Sequence, residues 1–120
     1  MPSPESPEHG ALFDLASVEQ ELRREEVYER NGHAARTLTR VQDLRIVFIA
    51  MKAGGRMAEH QANDSASIHV VTGKLELHLP DRKLELTRGQ LLVLAAGLRH
   101  DVVSNGESAF LLTLGWSKNE

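Results

Sequence analysis

From residue 36 onward the chain alternates between apolar and polar positions in short runs. Thr37-Leu38-Thr39-Arg40-Val41, Lys74-Leu75-Glu76-Leu77-His78-Leu79 and Lys83-Leu84-Glu85-Leu86 each put every second side chain on one face, the period of a half-buried strand. Pro80-Asp81 joins the last two runs. Asn105-Gly106 tolerates positive φ at both positions and predicts a two-residue hairpin between strands 100–104 and 109–114. Four further runs, 44–51, 68–71, 91–96 and 110–114, are largely apolar on both faces. Eight or nine short strands between turn residues predict an all-β barrel or sandwich. One face of the doubly apolar strands would line the interior, and the other needs cover. One short helix is too small to cover four such strands, so a homodimer packed sheet on sheet is predicted.

That helix is expected at about 17–30. Ser17 and Gln20 have capping-box spacing, and Glu19 and Glu21 favour the positive end of the helix dipole. Val18, Leu22 and Tyr28 form an apolar stripe, and Asn31-Gly32 supplies a left-handed stop. The first ten residues, with three prolines, read as a disordered tail. The predicted organisation is therefore a tail over 1–12, a helix and linker over 13–35, and a barrel over 36–120.

A chain of 120 residues can bury one core. Apolar residues make up 41% and charged residues 26%, with a net charge of −3. This balance argues against a broad phosphate-binding surface, and no nucleic-acid partner is expected. The absence of cysteine rules out disulfides, thiolate nucleophiles and sulfur-ligated zinc. No run approaches the roughly 20 apolar residues of a membrane span, and the start lacks the pattern of a secretory signal. A cytoplasmic protein without a membrane partner is the expectation. Phosphate loops, nucleophile elbows and zinc-protease helices are missing from the sequence. Ser104 and His100 are four residues apart on one strand, about 13 Å, too far for direct proton transfer.

Two histidines lie in glycine-spaced segments. His60 follows Gly54 in Gly54-Gly55-Arg56-Met57-Ala58-Glu59-His60, and Gly73 closes that region. Gly89, Gly97 and His100 punctuate the second segment. The pattern resembles the two signature motifs of the cupin superfamily, Gly-x5-His-x-His-x3-4-Glu-x6-Gly and Gly-x5-Pro-x-Gly-x2-His-x3-Asn. The resemblance runs from about residue 44 to 114. It implies a small RmlC-like, antiparallel β-barrel of the jelly-roll type with one short N-terminal helix. This chain departs from the motifs at four places. Ala62 stands at the second histidine, Ala66 at the glutamate, Ala95 at the proline and Ser104 at the asparagine.

Alternation then predicts the interior. With His60 and His100 inward, the cavity is expected to be lined by His60, Ala62, Ala66, Ile68, Val70, His100, Val102 and Ser104, while Ser67, His69 and His78 face outward. By the resemblance, His60 and His100 occupy metal-ligand positions, and Ala62 and Ala66 are lost ligands. Catalytic zinc takes three protein ligands, and non-haem iron takes two histidines and a carboxylate. The expectation is a binding or sensing module that takes a small molecule in an apolar cavity and needs no cofactor. The competing expectation is a metal-dependent enzyme of dioxygenase or isomerase type, with a divalent ion held by the reduced pair His60 and His100.

Overall fold

A computed structural model describes residues 6–60 and 63–115, with the side chains of Glu59 and His60 outside that description. Among these residues nine strands follow two helices: α1 (Leu15–Arg23), α2 (Glu26–Asn31), β1 (His33–Val41), β2 (Leu44–Met51), β3 (Arg56–His60), β4 (Ala66–Thr72), β5 (Lys74–Leu79), β6 (Arg82–Thr87), β7 (Leu91–Leu94), β8 (His100–Ser104) and β9 (Ser108–Gly115). They form two antiparallel sheets, one ordered β1-β2-β9-β4-β7 and the other β3-β8-β5-β6. The all-β barrel expected from the alternation is the fold observed.

Alternation decides which residues meet between the sheets. Val47, Ile49, Met51, Ile68, Val70, Leu94 and Phe110 of the five-stranded sheet pack against Leu75, Leu77, Leu86 and Val102 of the other. The opposite face of the five-stranded sheet holds a second cluster, in which Val18, Leu22 and Tyr28 cover Ala34, Phe48, Ala50 and Ala109. The helices thus account for the apolar outer face of β2 and for the start of β9.

Three local features add to the picture given by alternation. First, the helical segment is two helices. Asp14, rather than Ser17, caps α1, its carboxylate accepting from Ala16 N–H at 3.1 Å and Ser17 N–H at 3.3 Å. Arg24 ends α1 and Glu25 is extended, which turns the chain so that both Leu22 and Tyr28 are buried. Gly32 does supply the left-handed stop, at φ 83°. Second, Pro7–His9 form one exposed turn of 3-10 helix within the proline-rich start. Third, Asn105-Gly106 does not make a hairpin. β8 pairs with β3 and β5, whereas β9 pairs with β2 and β4. The turn is a corner between sheets, fixed by a hydrogen bond between the Ser104 and Ser108 hydroxyls and by Ser104 Oγ donating to the Gly106 carbonyl at 2.5 Å.

Arg23 fastens the helices to the barrel. Its Nε and Nη2 donate to Glu19 Oε2 at 3.1 and 2.6 Å, and further bonds reach Tyr28 Oη, the Met51 carbonyl (3.3 Å) and the Ser108 carbonyl (3.2 Å). Thr72 Oγ1 donates to the same Glu19 oxygen at 3.3 Å. Burial works to lower the Arg23 pKa, but the Glu19 hydrogen bond and the nearby Tyr28 and Glu19 charges raise it overall. Burial raises the pKa of Tyr28, partly offset by the Arg23 cation.

Candidate functional site

Strand direction places the site at one end of the barrel. β3 ends and β4 begins there, β7 ends and β8 begins there, and the β1–β2 and β5–β6 turns share that end. The register puts His60 opposite His100 across β3 and β8. Met57 pairs with Val102, so an unbroken ladder would have paired His100 with residue 59. A register shift between Met57 and His60 adds the extra residue and moves His60 to the His100 position.

His100 is buried, with 3% exposure. Its Nδ1 lies 3.0 Å from the Leu98 carbonyl. A carbonyl only accepts, so Nδ1 carries a proton. Beside His100 is a cavity of about 10 Å³, lined by Ile49, Met57, Ile68, His100, Val102, Phe110 and Leu112. That is room for about one water molecule. A larger guest requires side chains to move, and partly exposed Met57 has the rotamer freedom to do so.

Of the residues expected in the cavity, Ile68, His100 and Val102 line it. Ala66 and Val70 are buried on the same alternating face of β4 without lining it. Ser104 is buried at the far end of β8, its hydroxyl engaged in the corner with Gly106 and Ser108. The side chain of His60, and Ala62 entirely, lie outside the described residues, as does Trp116, expected to pack at a rim or interface. Met57, Ile49, Phe110 and Leu112 were not in the expected lining. The alternation of β2 and β9 was the signal that could have found three of them.

Arg45, partly exposed, also points toward the interior. It shares the inward face of β2 with Val47 and Ile49, and the register aligns Arg45 with Leu114, Leu114 with Ala66, and Ala66 with Leu94. Its Nε is buried and has no hydrogen-bond partner among the described residues.

The outer face of the four-stranded sheet is polar and paired. Arg56 Nη2 donates to Asp101 Oδ2 at 2.6 Å. His78 stands between two carboxylates, 2.7 Å from Glu76 Oε1 through Nε2 and 2.9 Å from Asp101 Oδ1 through Nδ1. The second contact has ion-pair distance but not hydrogen-bond geometry. The His78 hydrogen bond holds the Glu76 carboxyl below the usual glutamate range. Asp101 is therefore spent on the outer face, although it follows His100 in sequence.

Two histidine positions face each other, alanine stands at the two other ligand positions, and a cation shares the Ala66 row. Among the described residues no group of three His, Asp or Glu side chains is arranged to hold an ion. No helix among them is long and apolar enough to cross a membrane.

Residues 47–115, more than half the chain, match the family model described as a cupin domain. No curated protein matches. A conserved protein of unknown function from Streptococcus pyogenes superposes with TM-score 0.75 at 24% identity, covering 98% of this chain and 97% of its own. A cupin superfamily protein from Desulfitobacterium hafniense gives TM-score 0.69 at 16% identity, covering 72% and 80%. A polyketide cyclase from Streptomyces resistomycificus gives 0.64 at 21% identity, covering 70% and 65%. At these identities the likenesses establish the fold.

Proposed function

This chain belongs to the cupin domain family, and from that premise we propose that it binds a small organic molecule in its barrel cavity without catalysing a reaction. One observation carries the reading. The buried His100 opens onto a cavity whose other lining side chains are all apolar, the ordinary make-up of an organic-ligand site with one orienting polar group. The positions that would complete a metal centre are alanines. His100, fixed by its bond to the Leu98 carbonyl, supplies that polar group.

The reading is tested by titrating the protein with 1-hexanol and following side-chain methyl resonances. Shifts concentrated at Met57, Ile68, Val102 and Leu112 are expected. Shifts scattered over the surface, or none at millimolar alcohol, would sink it. The enzyme reading keeps one support, the fold shared with a polyketide cyclase.

We also propose that the protein works as a homodimer. β7 is an edge strand of the five-stranded sheet, and its outward residues Leu91 and Val93 are 62% and 67% exposed. A two-fold contact buries such a strip against its own copy.

A further inference from the structure

We propose that Arg45 anchors the ligand by its carboxylate, so that the barrel mouth takes small monocarboxylates with an apolar tail; this rests on the organic-ligand reading above. Arg45 is the outermost inward residue of β2, followed on that face by Val47, Ile49 and Met51. In the register it heads the row that crosses Leu114 to Ala66. Ala66 is the position at which the metal-binding pattern has a glutamate. The row that would carry an anion for a metal thus carries a cation and a methyl group.

Among the described residues that cation has no acidic partner. Arg45 makes no ion pair or hydrogen bond among the described residues, and its Nε is buried. Asp101, the nearest acidic neighbour of His100 in sequence, faces the other way and is held by Arg56 and His78. A buried, unpaired guanidinium N–H such as this Nε is costly, while the residue is partly exposed at the mouth, where its planar fork matches a carboxylate in two parallel hydrogen bonds. One row deeper, about 6.8 Å along the strand, Val47, Leu112 and Ile68 form the next cross-strand set, and Leu112 and Ile68 line the cavity. A carboxylate at Arg45 therefore directs its tail into apolar surroundings.

The test compares hexanoate with 1-hexanol by calorimetry on the full chain, in the parent and in Arg45→Met and Arg45→Lys. The parent is expected to bind hexanoate at least about tenfold more tightly than hexanol, the margin of one charged hydrogen bond. Arg45→Met should lose that margin and keep hexanol binding, and Arg45→Lys should keep part of it. Without ligand, Arg45→Met should melt no lower than the parent, because it removes an unpaired charge. Equal hexanoate affinity in Arg45→Met and the parent would overturn the proposal. So would a large fall in its melting temperature, which would mark Arg45 as structural. If hexanol binds and hexanoate gains nothing, the anchor fails while the apolar site stands; if neither binds, both readings fail.

Discussion

Replacing Arg23 by methionine keeps the apolar stem and deletes the guanidinium that ties both helices to the barrel. The side chain is 19% exposed and its Glu19 partner 18%, so the pair is mostly but not wholly removed from water. Breaking a fully buried pair costs about 3–5 kcal/mol, while an exposed one contributes about 0–1 kcal/mol. The two carbonyls it serves, Met51 and Ser108, lie next to fully buried neighbours and are poorly placed to recruit water. Together these put the loss at about 2–4 kcal/mol. With an unfolding entropy of about 2.1 cal/mol/K per residue, 120 residues give roughly 0.25 kcal/mol/K, and the midpoint should fall by about 8–16 °C. Arg36 is the control. It also bonds two glutamates, Glu21 and Glu25, but its side chain is 35% exposed, so Arg36→Met should shift the midpoint by less than about 4 °C. The assay is thermal unfolding by circular dichroism. Equal shifts for the two variants, or an Arg23→Met midpoint within about 3 °C of the parent, would refute the claim that burial of this network fastens the helices.

Three further outcomes are expected. Gly73→Ala should destabilise by about 3 kcal/mol or more, measured by chemical denaturation, because Gly73 has φ 78° and a Cβ there would meet the Glu107 carbonyl oxygen at 2.1 Å; a loss below about 1 kcal/mol would contradict the tight corner. Burial holds the phenol of Tyr28 protonated above its ordinary value of 10.0, so its contribution is complete below about pH 10 and is lost as pH rises through the higher folded value. The near-ultraviolet titration of this single tyrosine should then have its midpoint above that of the unfolded chain, and a coincident midpoint would count against it. Leu91→Glu with Val93→Glu should leave a folded monomer in light scattering where the parent is a dimer; a monomeric parent at micromolar concentration would dispose of the dimer.

The strands and the barrel were legible because alternation is local: Leu75, Leu77 and Leu86 go inward wherever the chain leads. The glycine and histidine spacing carried the family. What the sequence hid depended on distant partners. The break at Arg24 and Glu25 carries no proline or glycine, and it follows from Leu22 and Tyr28 both reaching Phe48 and Ala50. Asn105-Gly106 has hairpin chemistry, but β9 finds its ladders on β2 and β4, so the same turn becomes a corner. Strand 44–51 read as apolar on both faces, which masked the inward arginine at its head. Of the residues expected in the cavity, Ile68, His100 and Val102 lie beside it, while the Ser104 hydroxyl bonds in the Ser108 corner, a contact that depends on where β9 turns.

The central claim is that this barrel interior serves an organic ligand rather than a metal. Calorimetric titration of tag-free protein with zinc, manganese and ferrous ions tests it most directly. No one-to-one binding as tight as about micromolar is expected. Binding at micromolar or tighter that disappears in His100→Ala would contradict it and make the two-histidine centre real.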